Sequence, residues 1–126
     1  MVEANVSLYL ISRERIVRLQ KLVSFHALPR LYEFIKVRNK EEGDYFAYQI
    51  TQVTHREDDL PELWAMVTSF EQGRSIVSFF DDGELDRFSK SHSDEGWAIQ
   101  SSKPNKVFKA DGTSIWTEIA SFHKGS

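Results

Sequence analysis

Along this chain, apolar and polar positions alternate more often than they recur at helical spacing. Val6–Ser12 (VSLYLIS) is rich in residues that favour a pleated strand, and it predicts the first one. Ile16–Phe25 supports two patterns. Ile16, Leu19 and Val23 make a helical stripe, whereas Val17, Leu19, Val23 and Phe25 share one face of a strand interrupted by Lys21. With no capping residue nearer than Ser12, and with Pro29 just downstream, the strand is favoured. Leu28-Pro29 then ends it, because proline disfavours helix in the residue before it.

Glu33–Arg38 and Tyr45–Thr54 alternate again and flank a loop containing Gly43, which predicts a hairpin. Leu63–Phe70 is expected to pair with Tyr45–Thr54 across the turn in VTHREDDLPELW (Val53–Trp64). Three successive antiparallel strands suggest a meander curling into a barrel. After a break at Glu71-Gln72-Gly73 comes another apolar run, Ser75–Phe80. Asp82–Glu95 is the helix candidate: Asp82 caps it, Glu84 and Asp86 lie in its first turn, Leu85 and Phe88 share a face, and Gly96 stops it. Trp97–Ser101 reads as a strand. Val107–Lys109 and Ser114–Ile119 read as the arms of a hairpin around Asp111-Gly112.

The expected fold is therefore α+β: a mainly antiparallel sheet curling into a small, partly open barrel, with one late helix (about 82–95) and a C-terminal hairpin. The run LPRLYEFIKV…GDYFAYQITQVTH has the style of small bacterial β-barrel proteins, which speaks to fold alone. The 126 residues fit a single domain, 1–126, large enough to bury a core without staples. The chain has no cysteine, so disulfides, thiolate metal sites and cysteine nucleophiles are excluded. No stretch approaches the roughly 20 apolar residues of a membrane span. The N-terminus lacks a basic, then long apolar, leader pattern. A cytoplasmic protein with no membrane association is the expectation.

Six glycines are too scattered to write G-x-G-x-x-G or a phosphate-cradling loop, and neither G-x-S-x-G nor H-E-x-x-H occurs. His55-Arg56-Glu57 matches the H-x-E fragment of zinc deaminases, but that chemistry needs a pair of cysteines. His55 with Asp58 or Asp59, or His92 with Asp94, offers imidazole and carboxylate ligands for a metal-assisted hydrolase, a reading that nothing in the spacing demands. Asp81, Asp82, Glu84 and Asp86 fail the calcium-loop pattern and suit a helix N-terminus instead. The expectation is a non-enzymatic protein with no cofactor and no metal.

The net charge of −3 conceals segregation. Residues 1–40 hold eight Lys/Arg against three acids, whereas residues 41–62 hold one against seven. Two binding readings follow. In the first, acidic loops meet a protein partner with a basic surface, as an inhibitor or immunity-type protein would: Glu57, Asp58, Asp59 and Glu62, with Asp81 and Asp82, supply charge, and Trp64, half-exposed beside the turn, anchors the interface. In the second, a small barrel binds single-stranded nucleic acid, with Arg30, Lys36 and Arg38 on phosphates and Tyr45 and Tyr48 stacking on bases.

Overall fold

A computed structural model describes residues 1–39, 44–71 and 74–106. Eight strands and one helix follow in order: β1 (Val2–Ile11), β2 (Arg15–Phe25), β3 (Phe34–Asn39), β4 (Asp44–Thr54), β5 (Glu62–Met66), β6 (Thr68–Glu71), β7 (Arg74–Val77), α1 (Asp82–Asp94) and β8 (Ala98–Pro104). Six strands form one sheet in the order β3-β4-β5-β1-β2-β8, and β6-β7 form a separate hairpin. The sheet curls into a half-barrel with α1 against its inner face, so the α+β architecture matches expectation. Bulges between Arg18 and Leu19, and between Ile50 and Gln52, add local bend and twist to that curl.

Two expectations need correction. The strands do not form a simple meander, because β1 inserts between β5 and β2 and pairs with β5 in parallel, Asn5 opposite Glu62 and Tyr9 opposite Met66. This long-range pairing leaves no local signal in the sequence. The run Leu63–Phe70 is not one strand either: it breaks at Val67, and its second half pairs with β7 instead of β4. The expected hairpin at 107–119 lies outside the described residues.

Central β1 is buried on both sides from Val6 to Ile11, where the apolar run Leu8–Ile11 supplies both faces. Ala4, Val6, Leu8 and Leu10 face inward with Leu19, Ile50, Leu63, Leu85 and Phe88. Tyr9 and Ile11 face outward, into a second cluster with Trp64, Met66 and Val77. The strand reading of Ile16–Phe25 holds: all ten residues from Ile16 to Phe25 pair with β1.

The helix cap lies one residue earlier than expected, and Asp82 is the first helical residue. Asp81, not Asp82, is the N-cap: its carboxylate accepts from Glu84 N at 2.7 Å, and Glu84 reaches back to Asp81 N. Asp82 is thereby released to accept from Ser12 Oγ at 2.7 Å, and Arg15 bonds Asp86 at 2.8 Å, fastening the helix start to the β1–β2 turn. The far end stops at Gly96, whose φ of 99° suits a residue without a side chain. There Lys21 Nζ donates to the Glu95 carbonyl at 2.9 Å, a cation at the negative end of the helix dipole. The helix thus lies across the concave face from the β1–β2 turn toward β3. No helix among the described residues is long and apolar enough to cross a membrane.

Candidate binding surface

The acidic residues singled out from the sequence are split between the two ends of the sheet. Glu57, Asp58 and Asp59 sit exposed in the β4–β5 turn, with Asp58 at a φ of 59° and Asp59 accepting from Leu60 N at 2.7 Å. Glu62 is partly buried and pairs with Arg56 at 3.0 Å. Asp81 and Asp82 stand at the opposite end. β5 enters beside Asn5, whereas Phe80 bridges to Ser12, seven residues and about 23 Å further along β1 at roughly 3.3 Å per residue. The six acids therefore form two groups about 23 Å apart along the sheet, not one cluster.

Trp64 is not the half-exposed anchor expected beside the turn. It is 7% exposed, on a strand flanked on both sides, with its ring 5.3 Å from that of Tyr9 and the Arg18 guanidinium 5.8 Å over it. Burial and the nearby Glu62 outweigh Arg18, and the Tyr9 hydroxyl is pushed up to about 12. Indole and phenol both belong to the outer-face core.

The basic–aromatic residues fare differently, because β3 alternates strictly: Ile35, Val37 and Asn39 are buried, while Phe34, Lys36 and Arg38 point out. The register sets Arg38 opposite Tyr45, so the two share the outward side of the hairpin. Phe34 is 58% exposed, Tyr45 54% and Tyr32, just before the strand, 52%. Tyr32 is held there by its backbone, at a φ of 72°, with its N–H donating to the Ile50 carbonyl at 2.8 Å. Arg30 is exposed nearby, its backbone N–H bonded to the Glu33 carboxylate at 2.6 Å. Four of the five residues expected for nucleic acid therefore lie on or beside one edge of the sheet.

Tyr48 is the exception and is corrected: it is fully buried on the inner side. Tyr45 and Tyr48 are three residues apart on one strand, and odd spacing sends side chains to opposite faces. Tyr48 Oη lies 2.7 Å from His92 Nε2, inside a cluster with Phe46, Phe88 and Trp97. Burial raises the Tyr48 hydroxyl above its ordinary value. Burial likewise lowers the His92 imidazole, to about 4, against weaker upward pulls from the Arg38 backbone and the Glu95 charge. One helix position earlier, Ser91 Oγ donates to Asn39 Oδ1 at 2.9 Å, so the helix meets β3 and β4 through paired polar groups. His92 is thus committed to the core, and His55 stands exposed on the β4–β5 turn. Among the described residues no three His, Asp or Glu side chains gather as a metal site would require.

Sequence reasoning passed over Phe34. For Phe34 the signal was present: with Ile35 and Val37 inward, alternation places Phe34 outward beside Lys36. The left-handed backbone that exposes Tyr32 had no such signal, since no glycine or asparagine announced it.

Compared with protein-family models, with curated proteins and with solved structures, the chain matches none. The chemistry of the surface is therefore what a functional reading rests on.

Proposed function

We propose that the chain is a non-enzymatic binding module that holds single-stranded nucleic acid on the outward face of the β3–β4 hairpin. One observation carries the reading: two aromatic rings, Phe34 and Tyr45, are more than half exposed on the face that also presents Lys36 and Arg38. Such large apolar side chains normally contribute to folding by burial, and their grouping at the surface marks a contact site. Alternate residues of β3 are about 7 Å apart, so Phe34, Lys36 and Arg38 form one row along the strand, with Tyr45 beside Arg38 on β4. Stacking tolerates any base, and the two cations meet phosphate oxygens. Residues 30–45 are neutral in sum, with Arg30, Lys36, Arg38 and Lys40 against Glu33, Glu41, Glu42 and Asp44, so the positive charge offered to phosphates is that of Lys36 and Arg38 on the outward face of β3.

The test is fluorescence anisotropy of a labelled twelve-residue oligothymidylate at low salt. Saturable binding is expected for the natural chain, with loss of at least tenfold in affinity for the double variant Lys36→Glu, Arg38→Glu. Absence of binding by the natural chain overturns the reading.

A protein partner with a basic surface, met by Glu57, Asp58 and Asp59, is the second reading. Its support is that all three carboxylates are exposed on one turn. Charge reversal at those three positions should then abolish capture of such a partner and leave oligonucleotide binding intact.

A further inference from the structure

The described residues do not fill the concave side of the half-barrel from end to end. Among the described residues strand β3 is one edge of the sheet, paired with β4, and it faces the second half of β2 across the open side. Between them, by the C-terminal end of α1, lies a cavity of about 360 Å³. Its walls are Val23 and Phe25 from β2, Ile35 and Val37 from β3, and Trp97 just after the helix. At Phe25 and Ile35 it adjoins an outer groove of about 630 Å³ that continues past Leu28 and Pro29. The mouth is lined with polar groups of mainly one sign: Lys21, Lys36 and Arg38 against Glu95, with Tyr45 beside them.

From this arrangement we propose that the cleft binds an amphipathic monocarboxylate, an unbranched acyl chain of about ten to fourteen carbons. Ligand sites of small barrels are typically hollows of about 300–1,000 Å³ with apolar walls and a few charged groups that orient the ligand. At roughly 30 Å³ for a water-sized group, 360 Å³ accommodates about twelve such groups, the size of a medium acyl chain. The chain lies along Val23, Ile35 and Val37 with its flank on Trp97. The carboxylate meets Arg38, whose planar fork matches two carboxylate oxygens, and Lys36 adds a second positive charge. Lys21 acts differently. It donates to the Glu95 carbonyl at 2.9 Å and lies 5.7 Å over the Trp97 ring, so it fixes the wall that the chain touches. Three cations against one carboxylate at the mouth favour an anionic head over a neutral or cationic one. The acyl chain uses the inward side of β3 and the head uses Lys36 and Arg38 at its outward rim, the same cations as the proposed nucleic-acid face, so dodecanoate and oligonucleotide should compete.

Isothermal titration calorimetry of the full chain with dodecanoate, below its micelle concentration and without nucleic acid, tests it. Saturable one-to-one binding is expected, accompanied by a rise in the thermal midpoint. The uncharged analogue dodecanol should bind at least tenfold more weakly. Lys36→Gln with Arg38→Gln, both at exposed positions, should weaken dodecanoate at least tenfold and leave dodecanol unchanged. Val37→Trp fills the cavity and should abolish both, with the exposed double variant serving as the control that folds. No saturable heat, equal affinity for acid and alcohol, or full affinity in the Lys36/Arg38 variant would each overturn the proposal.

Discussion

The β4–β5 turn and the outward face of β3–β4 are both exposed and both charged, but they differ in what accompanies the charge. In the turn, Glu57, Asp58 and Asp59 are the exposed charge, and Trp64, the aromatic that follows them in sequence, is buried on the next strand. On β3, Lys36 and Arg38 alternate with an exposed Phe34 and face an exposed Tyr45. Solvated charge by itself contributes little to binding, because each ion is already well hydrated and salt screens it. Charge beside exposed rings offers both steering and apolar area to bury. The difference makes the β3 face the stronger candidate, although the sequence presents the acids more conspicuously.

The sharpest way to break this comparison is through Trp64. If it belongs to the core, Trp64→Ala should cost about 3–5 kcal/mol of stability, as large aromatic truncations in cores do. Chemical denaturation measures this, and a change below about 1 kcal/mol would return Trp64 to the surface. Next in size is Phe34→Ala, which should weaken oligonucleotide binding by about 1–3 kcal/mol per stacked base lost. Because the ring is exposed, the same change should move stability by no more than about 0.5 kcal/mol. Anisotropy and melting curves on one variant separate the two effects.

A pH effect of about 2 kcal/mol comes from the inner side of the same hairpin. With its pKa lowered from 6.5 to about 4 by burial, His92 stays neutral in the fold, while the unfolded chain takes up a proton below about pH 6.5. Stability should therefore be unaffected by this group above that pH and fall by about 1.4 kcal/mol per unit between pH 6.5 and 4. From pH 6.5 to 5 the loss is about 2 kcal/mol. Removing both partners, His92→Leu with Tyr48→Phe, should flatten that part of the profile in denaturation experiments at several pH values. The smallest effect belongs to the acids: Glu57, Asp58 and Asp59 changed together to Gln, Asn and Asn should shift stability by less than about 0.5 kcal/mol. The same triple variant should alter oligonucleotide affinity less than twofold, in contrast to the Lys36/Arg38 variant.

How much of this was legible beforehand varied with the range of the interactions involved. Local signals read well. Alternation in Ile16–Phe25 and Glu33–Arg38 gave strands, and the acid-rich start and Gly96 bounded the helix to within a residue. The choice of Asp81 over Asp82 as cap was less accessible, since two adjacent aspartates cap equally well until Ser12 and Arg15 claim one of them. Nothing local could show that β1 pairs in parallel with β5, and that pairing is what buries Trp64 between two neighbours. At the candidate site, period-two reasoning carried further than it was taken. It separates Tyr45 from Tyr48 and turns Phe34 outward. The cleft itself was not readable, because Val23, Phe25, Ile35, Val37 and Trp97 converge only through the curl of the sheet.

The salt dependence of oligothymidylate binding tests the central claim most directly. Phosphate contacts release counterions, so log affinity should fall linearly with log salt concentration, by about 0.7 per contact for a single strand. With Arg30, Lys36 and Arg38 engaged, the expected slope is about −2, falling in magnitude to about −0.7 in the Lys36→Glu, Arg38→Glu variant, which keeps Arg30. No measurable binding at the lowest salt, or a slope that the variant leaves unchanged, would contradict a nucleic-acid site on β3–β4.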